Sequence, residues 1–109
     1  MDFRLSDEQA MLRETARALF TRECPLDFVR GAWSEPSRGV ALWRSHLSGW
    51  LELASADVAD VALFVEEHGR AVAPGPFFAS LLAAQVARAA GRERTGSASV
   101  AVSAAAGTW

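Results

Sequence analysis

The side chains of this chain best suited to acid–base or nucleophilic chemistry are His46, His68, Cys24 and the adjacent pair Glu66 and Glu67. Two neighbouring carboxylates on a helix project about 100° apart, so Glu66 and Glu67 do not share a site. With His68 they read as the solvated side of a helix. No residue pattern near either histidine supplies a helper carboxylate with a mechanism, and two histidines so far apart lack the spacing of a metal-ligand pair. No catalytic residue and no metal ligand is therefore assigned. Cys24 precedes Pro25 at the end of an amphipathic stretch, where a thiol reads as a small buried hydrophobe rather than a nucleophile. As the single cysteine it also excludes an internal disulfide and a cysteine-rich zinc site. The serines between Ser97 and Ser103 lack the glycine spacing of a phosphate-cradling loop. Trp33, Trp43 and Trp50 have too few cations beside them to stack nucleic-acid bases, and read as core anchors.

These residues must be positioned by helices. Ser6 followed by Gln9 is a capping box, with Asp7 and Glu8 favouring the positive end of the helix dipole. The helix it opens carries Leu12, Ala16, Leu19 and Phe20 on one face and should end near Cys24, because Pro25 disfavours helix in the residue before it. Leu26 to Trp33 suits another helical turn or two before Gly31, and Ser34 to Gly39 is turn chemistry and a solvated loop. A helix resumes at Val40, with Val40, Trp43, Leu47 and Trp50 facing one way and Gly49 at its end. Leu51 to Ala56 is a short connection.

The organising stretch runs from Asp57 to Gly91. Its first helix has Val58, Val61, Ala62 and Val65 at helical spacing, Asp57 to cap it and Gly69 to stop it. Pro74-Gly75-Pro76 makes a corner, and Pro76 suits the first turn of a helix. The second helix, Phe77 to Ala90, is apolar almost all round and calls for cover on every side. After Gly91 the pattern changes: Ser97 to Ala106 alternates small polar and apolar residues as a strand does. A lone strand leaves its backbone groups unpaired, so this one reads as the first strand of a larger sheet. The expected fold is thus all-α, four main helices over residues 1–94, with the start of an incomplete β-domain at 95–109.

The chain has 109 residues, half of them hydrophobic, which suits a single domain with a modest core. A net charge of −2 gives no electrostatic grip on nucleic acid or an anionic membrane. All eleven basic residues are arginine. The acidic, capped N-terminus is unlike a signal peptide, and the longest apolar run is too short to span a bilayer. A soluble cytoplasmic protein is the expectation.

The order of these pieces resembles the N-terminal helical domain of the acyl-CoA dehydrogenase family. MDFRLSDEQAMLRETARALF is similar to that family's first helix, and LWRSHLSGWLEL to its helix ending in Gly-Trp. DVALFVEEHGRAVAPGPFFASLLAAQVARAAG is similar to the next two helices, above all in the actinobacterial branch acting on sterol side chains and other bulky acyl-CoAs. GRERTGSASVAVSAAAGTW resembles the approach to the middle β-domain. The resemblance spans essentially the whole chain.

It implies part of a flavoprotein subunit that oxidises acyl-CoA to 2-enoyl-CoA in the complete assembly and is inactive alone. FAD and the catalytic glutamate would come from the β-domain and a C-terminal helical bundle. Phe77, Phe78, Ser80 and Leu81 would line the acyl pocket or a subunit interface, and the partners would be acyl-CoA and acyl-CoA dehydrogenase-like chains in a homo- or hetero-oligomer. The same four residues also suit a core or partner-facing role at helical spacing.

The chain departs from the family pattern at three places. The Pro-Glu-x-Tyr-Gly-Gly-like loop after Gly-Trp is missing, and the link before the strand is compressed to Arg92–Gly96. In the strand, Ser103 stands for the family's threonine and Ala104 for its glutamate, and in the short loop after it Gly107 and Thr108 stand for a Gly-Ser and Trp109 for an aspartate. Ser103 keeps a hydroxyl toward the cofactor, but the carboxylates are gone. These departures motivate the alternative, a non-catalytic structural or interaction subunit that retains only the helical fold.

Overall fold

The computed structural model describes residues 4–92, and every regular element within them is helical. In chain order these are α1 (Asp7–Glu23), α2 (Leu26–Ser34), α3 (Ser37–Leu42), a π turn (Trp43–Leu47), a 3₁₀ segment (Ser48–Ser55), α4 (Val58–Arg70) and α5 (Phe77–Ala89). The architecture is all-α, as the patterning predicts, with five α-helices among the described residues rather than four. The expected strand at Ser97 to Ala106, and Ser103 within it, lie outside the described residues.

Local chemistry explains most boundaries. Ser6 Oγ accepts the Gln9 N–H and Gln9 Oε1 accepts the Ser6 N–H, both at 3.1 Å, so the capping box forms in full. Pro25, Pro36 and Pro76 each stand immediately before a helix, at α2, α3 and α5. A proline there loses no helical hydrogen bond, since the first N–H groups have no intrahelical acceptor. Asp57 occupies the N-cap of α4 in extended conformation, but its side chain makes no capping hydrogen bond.

Two boundaries differ from the pattern. The Ser34–Gly39 stretch is not a loop: α2 includes Ser34 and α3 starts at Ser37, leaving only Glu35 and Pro36 between them. Arg38 secures this junction, pairing with Glu35 at 3.0 Å and lying over the Phe28 ring at 5.9 Å. The helix expected to run from Val40 to Gly49 instead opens into the π turn, where the Ser48 N–H reaches back to the Trp43 carbonyl, and then tightens into the 3₁₀ segment.

Helices α4 and α5 stop in the same way. At the end of α4 the Ala73 N–H bonds the His68 carbonyl and the Val72 N–H bonds that of Gly69; at the end of α5, Arg92 bonds Ala87 and Gly91 bonds Arg88. Both are Schellman caps, in which the penultimate donor sits in the left-handed region. Gly91 fills that position at φ 75° and Val72 at φ 52°. Gly69 therefore does not stop α4; it lies within the last turn.

Helix α1 packs along α4, and α5 packs along the 3₁₀ segment. Gln9 Nε2 donates to Asp60 Oδ1 at 3.3 Å and ties the starts of α1 and α4 together. The corner before α5 passes so close to α3 that a Cβ on Gly39 would stand 2.8 Å from the Gly75 Cα. The core lies where α1, α4, α5 and the π turn meet: Ala16, Leu19, Phe20, Leu42, Trp43, Leu47, Leu53, Phe64, Phe77 and Leu81. Trp33, expected as a core anchor, is 81% exposed. Val40 is also exposed, and of the expected row on α4 only Val61 and Val65 pack against the core, while Val58 and Ala62 are exposed and the fully buried apolar side chain of that helix is Phe64.

Candidate functional site

The residues with chemical potential gather at the α1–α4–α5 junction and at the C-terminal end of α1. At the junction, Phe64 is fully buried and meets three rings: Trp50 stacked at 4.5 Å, Phe77 at 5.2 Å and Phe20 edge-on at 5.4 Å. His68 joins this group, one helical turn after Phe64 on α4. Its ring lies edge-on to Phe20 at 5.6 Å and tilted against Phe77 at 5.3 Å. Its Nε2 is buried without a hydrogen-bond partner. Burial disfavours the imidazolium and holds the His68 pKa below its ordinary value, so the ring is neutral near pH 7.

Glu67 is buried too, at 3% exposure, contrary to its reading as part of a solvated face. Arg17 on α1 explains this. Its Nη2 donates to Glu67 Oε1 at 2.8 Å and its Nε donates to the same carboxylate at 3.2 Å. That hydrogen bond outweighs the cost of burial and holds the Glu67 carboxyl below its usual range, with Arg17 raised in return. Both partners were present in the sequence, but Arg17 and Glu67 stand 50 residues apart, and no local pattern joins them.

At the end of α1, Glu23 lies between Arg22 and His46. Arg22 Nε donates to Glu23 Oε1 at 2.8 Å, and His46 Nε2 on the π turn approaches Glu23 Oε2 at 3.1 Å. The Arg22 hydrogen bond is the main cause of a lowered Glu23 pKa. A carboxylate orienting an imidazole is the arrangement that sequence spacing did not supply for His46. The neighbouring thiol does not complete a nucleophilic set. Cys24 is buried, and desolvation pushes its pKa up to about 11, which leaves it protonated. Among the described residues no group of three or more His, Cys, Asp and Glu side chains is placed to hold a metal ion.

Surface hollows flank α1. A groove of about 410 Å³ runs along its outer side, lined by Met11, Glu14, Thr15, Ala18, Leu19, Arg22 and Trp50. A cleft of about 230 Å³ lies on the side toward α4, where Arg17, Cys24, Glu67 and Arg70 face it. The cleft is smaller than the roughly 300–1,000 Å³ typical of small-molecule sites.

The four residues expected at an acyl pocket divide between two faces of α5. Phe77, Ser80 and Leu81 are buried in the core, whereas Phe78 is 46% exposed on the outer side. Val86, two turns on, is also exposed, so α5 is not covered all round within the described residues. No described helix is long and apolar enough to cross a membrane. Comparison with protein-family models, with curated proteins and with solved structures finds no match to this chain.

Proposed function

We propose that this chain is the helical N-terminal part of an acyl-CoA dehydrogenase-like flavoprotein subunit, a non-catalytic wall of an acyl pocket or of a subunit interface. The observation that carries the reading is an ordered set of sequence blocks falling on consecutive elements. The opening block coincides with α1, LWRSHLSGWLEL with the end of α3, the π turn and the 3₁₀ segment, and the next block with α4, the corner and α5. The outer row of α5, with Phe78 and Val86 exposed, is an apolar surface suited to cover by further protein or by an acyl chain.

The described residues do not fit a flavin. The cleft beside Cys24 is too small, and the groove beside Trp50 is lined mainly by apolar side chains with one glutamate and one arginine. The flavin and the catalytic base are therefore assigned to the remainder of the assembly, and FAD there would supply the acceptor for the hydride removed from the acyl chain. A second reading, a helical interaction module that keeps only the fold, is favoured by the same exposed row.

The test is native mass spectrometry of the protein purified from its own host, followed by addition of acyl-CoA to any flavin-bearing complex. A complex that carries FAD and bleaches with acyl-CoA is the expected result. A flavin-free complex that ignores acyl-CoA removes the enzyme reading. Loss of an oligomer on Phe78→Glu would then favour the interaction module.

A further inference from the structure

The outer side of α1 carries a self-complementary row of side chains. Glu14, Ala18 and Arg22 are spaced i, i+4, i+8, so they lie in one row along the helix, and all three line the groove beside Trp50. Met11 and Thr15 flank the row, and the Met11 side chain is exposed. A carboxylate and a guanidinium thus stand one turn to either side of a small residue. Such a row is complementary to its own antiparallel copy. With a two-fold axis at Ala18, Glu14 of each helix faces Arg22 of the other, and the small Ala18 side chains let the backbones approach.

We propose that this groove is a self-association surface, occupied by α1 of a second copy of this chain packed antiparallel about Ala18. Charge complementarity selects that occupant. A parallel copy would set Glu14 against Glu14 and Arg22 against Arg22, and like charges so placed oppose association. The Arg22–Glu23 pair does not block the contact, because Arg22 is two-thirds exposed there and its Nε alone is engaged, leaving the terminal amines of the guanidinium to donate. Met11 and the wall at Trp50 supply apolar contact around the charged pairs. The surface is independent of the acyl-CoA reading, and Phe78 is not among the residues that line it.

The experiment is sedimentation equilibrium of the 109-residue chain over a roughly hundredfold range of concentration, with circular dichroism as the control for folding. A reversible dimer is expected. Ala18→Arg should abolish it. Glu14→Arg and Arg22→Glu should each weaken it at least about tenfold, because each sets like charges across both halves of the interface. Mixing E14R protein with R22E protein should restore association as a heterodimer, visible as a mixed mass in native mass spectrometry. A monomer throughout the range overturns the proposal. So does a dimer that survives A18R but is lost in F78E, which would place association on α5. Failure of the two single variants to pair with each other overturns the antiparallel register.

Discussion

Helices α4 and α5 have the same length, 13 residues, and end in the same hydrogen-bonded cap, yet they use their residues in opposite ways. By pattern, α4 is amphipathic, but it buries a glutamate and part of a histidine and leaves Val58 exposed. By pattern, α5 is apolar all round, but only the face with Phe77, Ser80, Leu81 and Ala84 is buried. The caps differ in the same sense: α5 places glycine in the left-handed position, and α4 places a β-branched valine there. What a helix buries is decided by what packs on it. For α4 that neighbour is α1, which brings Arg17 to Glu67 and Phe20 to His68.

The sharpest way to break the comparison is at its most buried ring. Phe64→Ala should cost about 3–5 kcal/mol, since it removes a fully buried side chain with three aromatic neighbours. Phe78→Ala, the matching truncation on the outer face of α5, should cost much less, and denaturant unfolding of the pair measures the contrast. Exchanging the cap residues comes next. Gly91→Val should lose about 1–2 kcal/mol by forcing a β-carbon into the left-handed region. Val72→Gly should change stability in the opposite direction by about 1 kcal/mol, because relief of strain exceeds the added freedom of the unfolded chain.

Acid should separate the two helices further. The His68 pKa is depressed in the fold, so the unfolded chain binds the proton first and stability falls as pH drops below about 6.5. The Glu67 pKa is also depressed, by its hydrogen bond to Arg17, so its contribution is present above about 4.5 and is lost as pH falls further. His68→Phe should flatten the upper part of a melting-temperature profile and leave the lower part in place. An unchanged profile would mean that His68 titrates alike in the folded and unfolded chains. The smallest effect is expected at Val86→Ser, within about 0.5 kcal/mol, since its side chain is mostly in water.

The legible parts of the fold were those set by near neighbours. Ser6 and Gln9 announce α1 because both halves of the capping box lie within one turn, and Pro25 marks the end of α1 and Pro76 the start of α5 through their own backbone chemistry. The Cys24 thiol was readable as a buried hydrophobe from the helix preceding it. Legibility failed where long-range packing decides. Trp33 is a large apolar residue on a helix, but among the described residues no element covers its side of α2, and its indole is 81% exposed there. Glu67 looked solvated because its partner is on another helix, and the Glu23–His46 pair joins α1 to a turn whose shape no propensity scale anticipates. Of the pocket candidates, Phe77, Ser80 and Leu81 face inward and Phe78 outward, a division that an all-apolar helix cannot reveal from sequence.

The π turn at Trp43–Leu47 bears on how this chain tolerates changes of length. Five residues there occupy a turn that an α-helix would close with four, and the Ser48 N–H spans the surplus to reach Trp43. Ser45 sits at the outside of that turn, away from the buried Trp43 and Leu47. Deleting it would let the ladder close in the ordinary register while both large side chains keep facing inward. The turn thus stores one removable residue, and descendants one residue shorter at this point would inherit the same core.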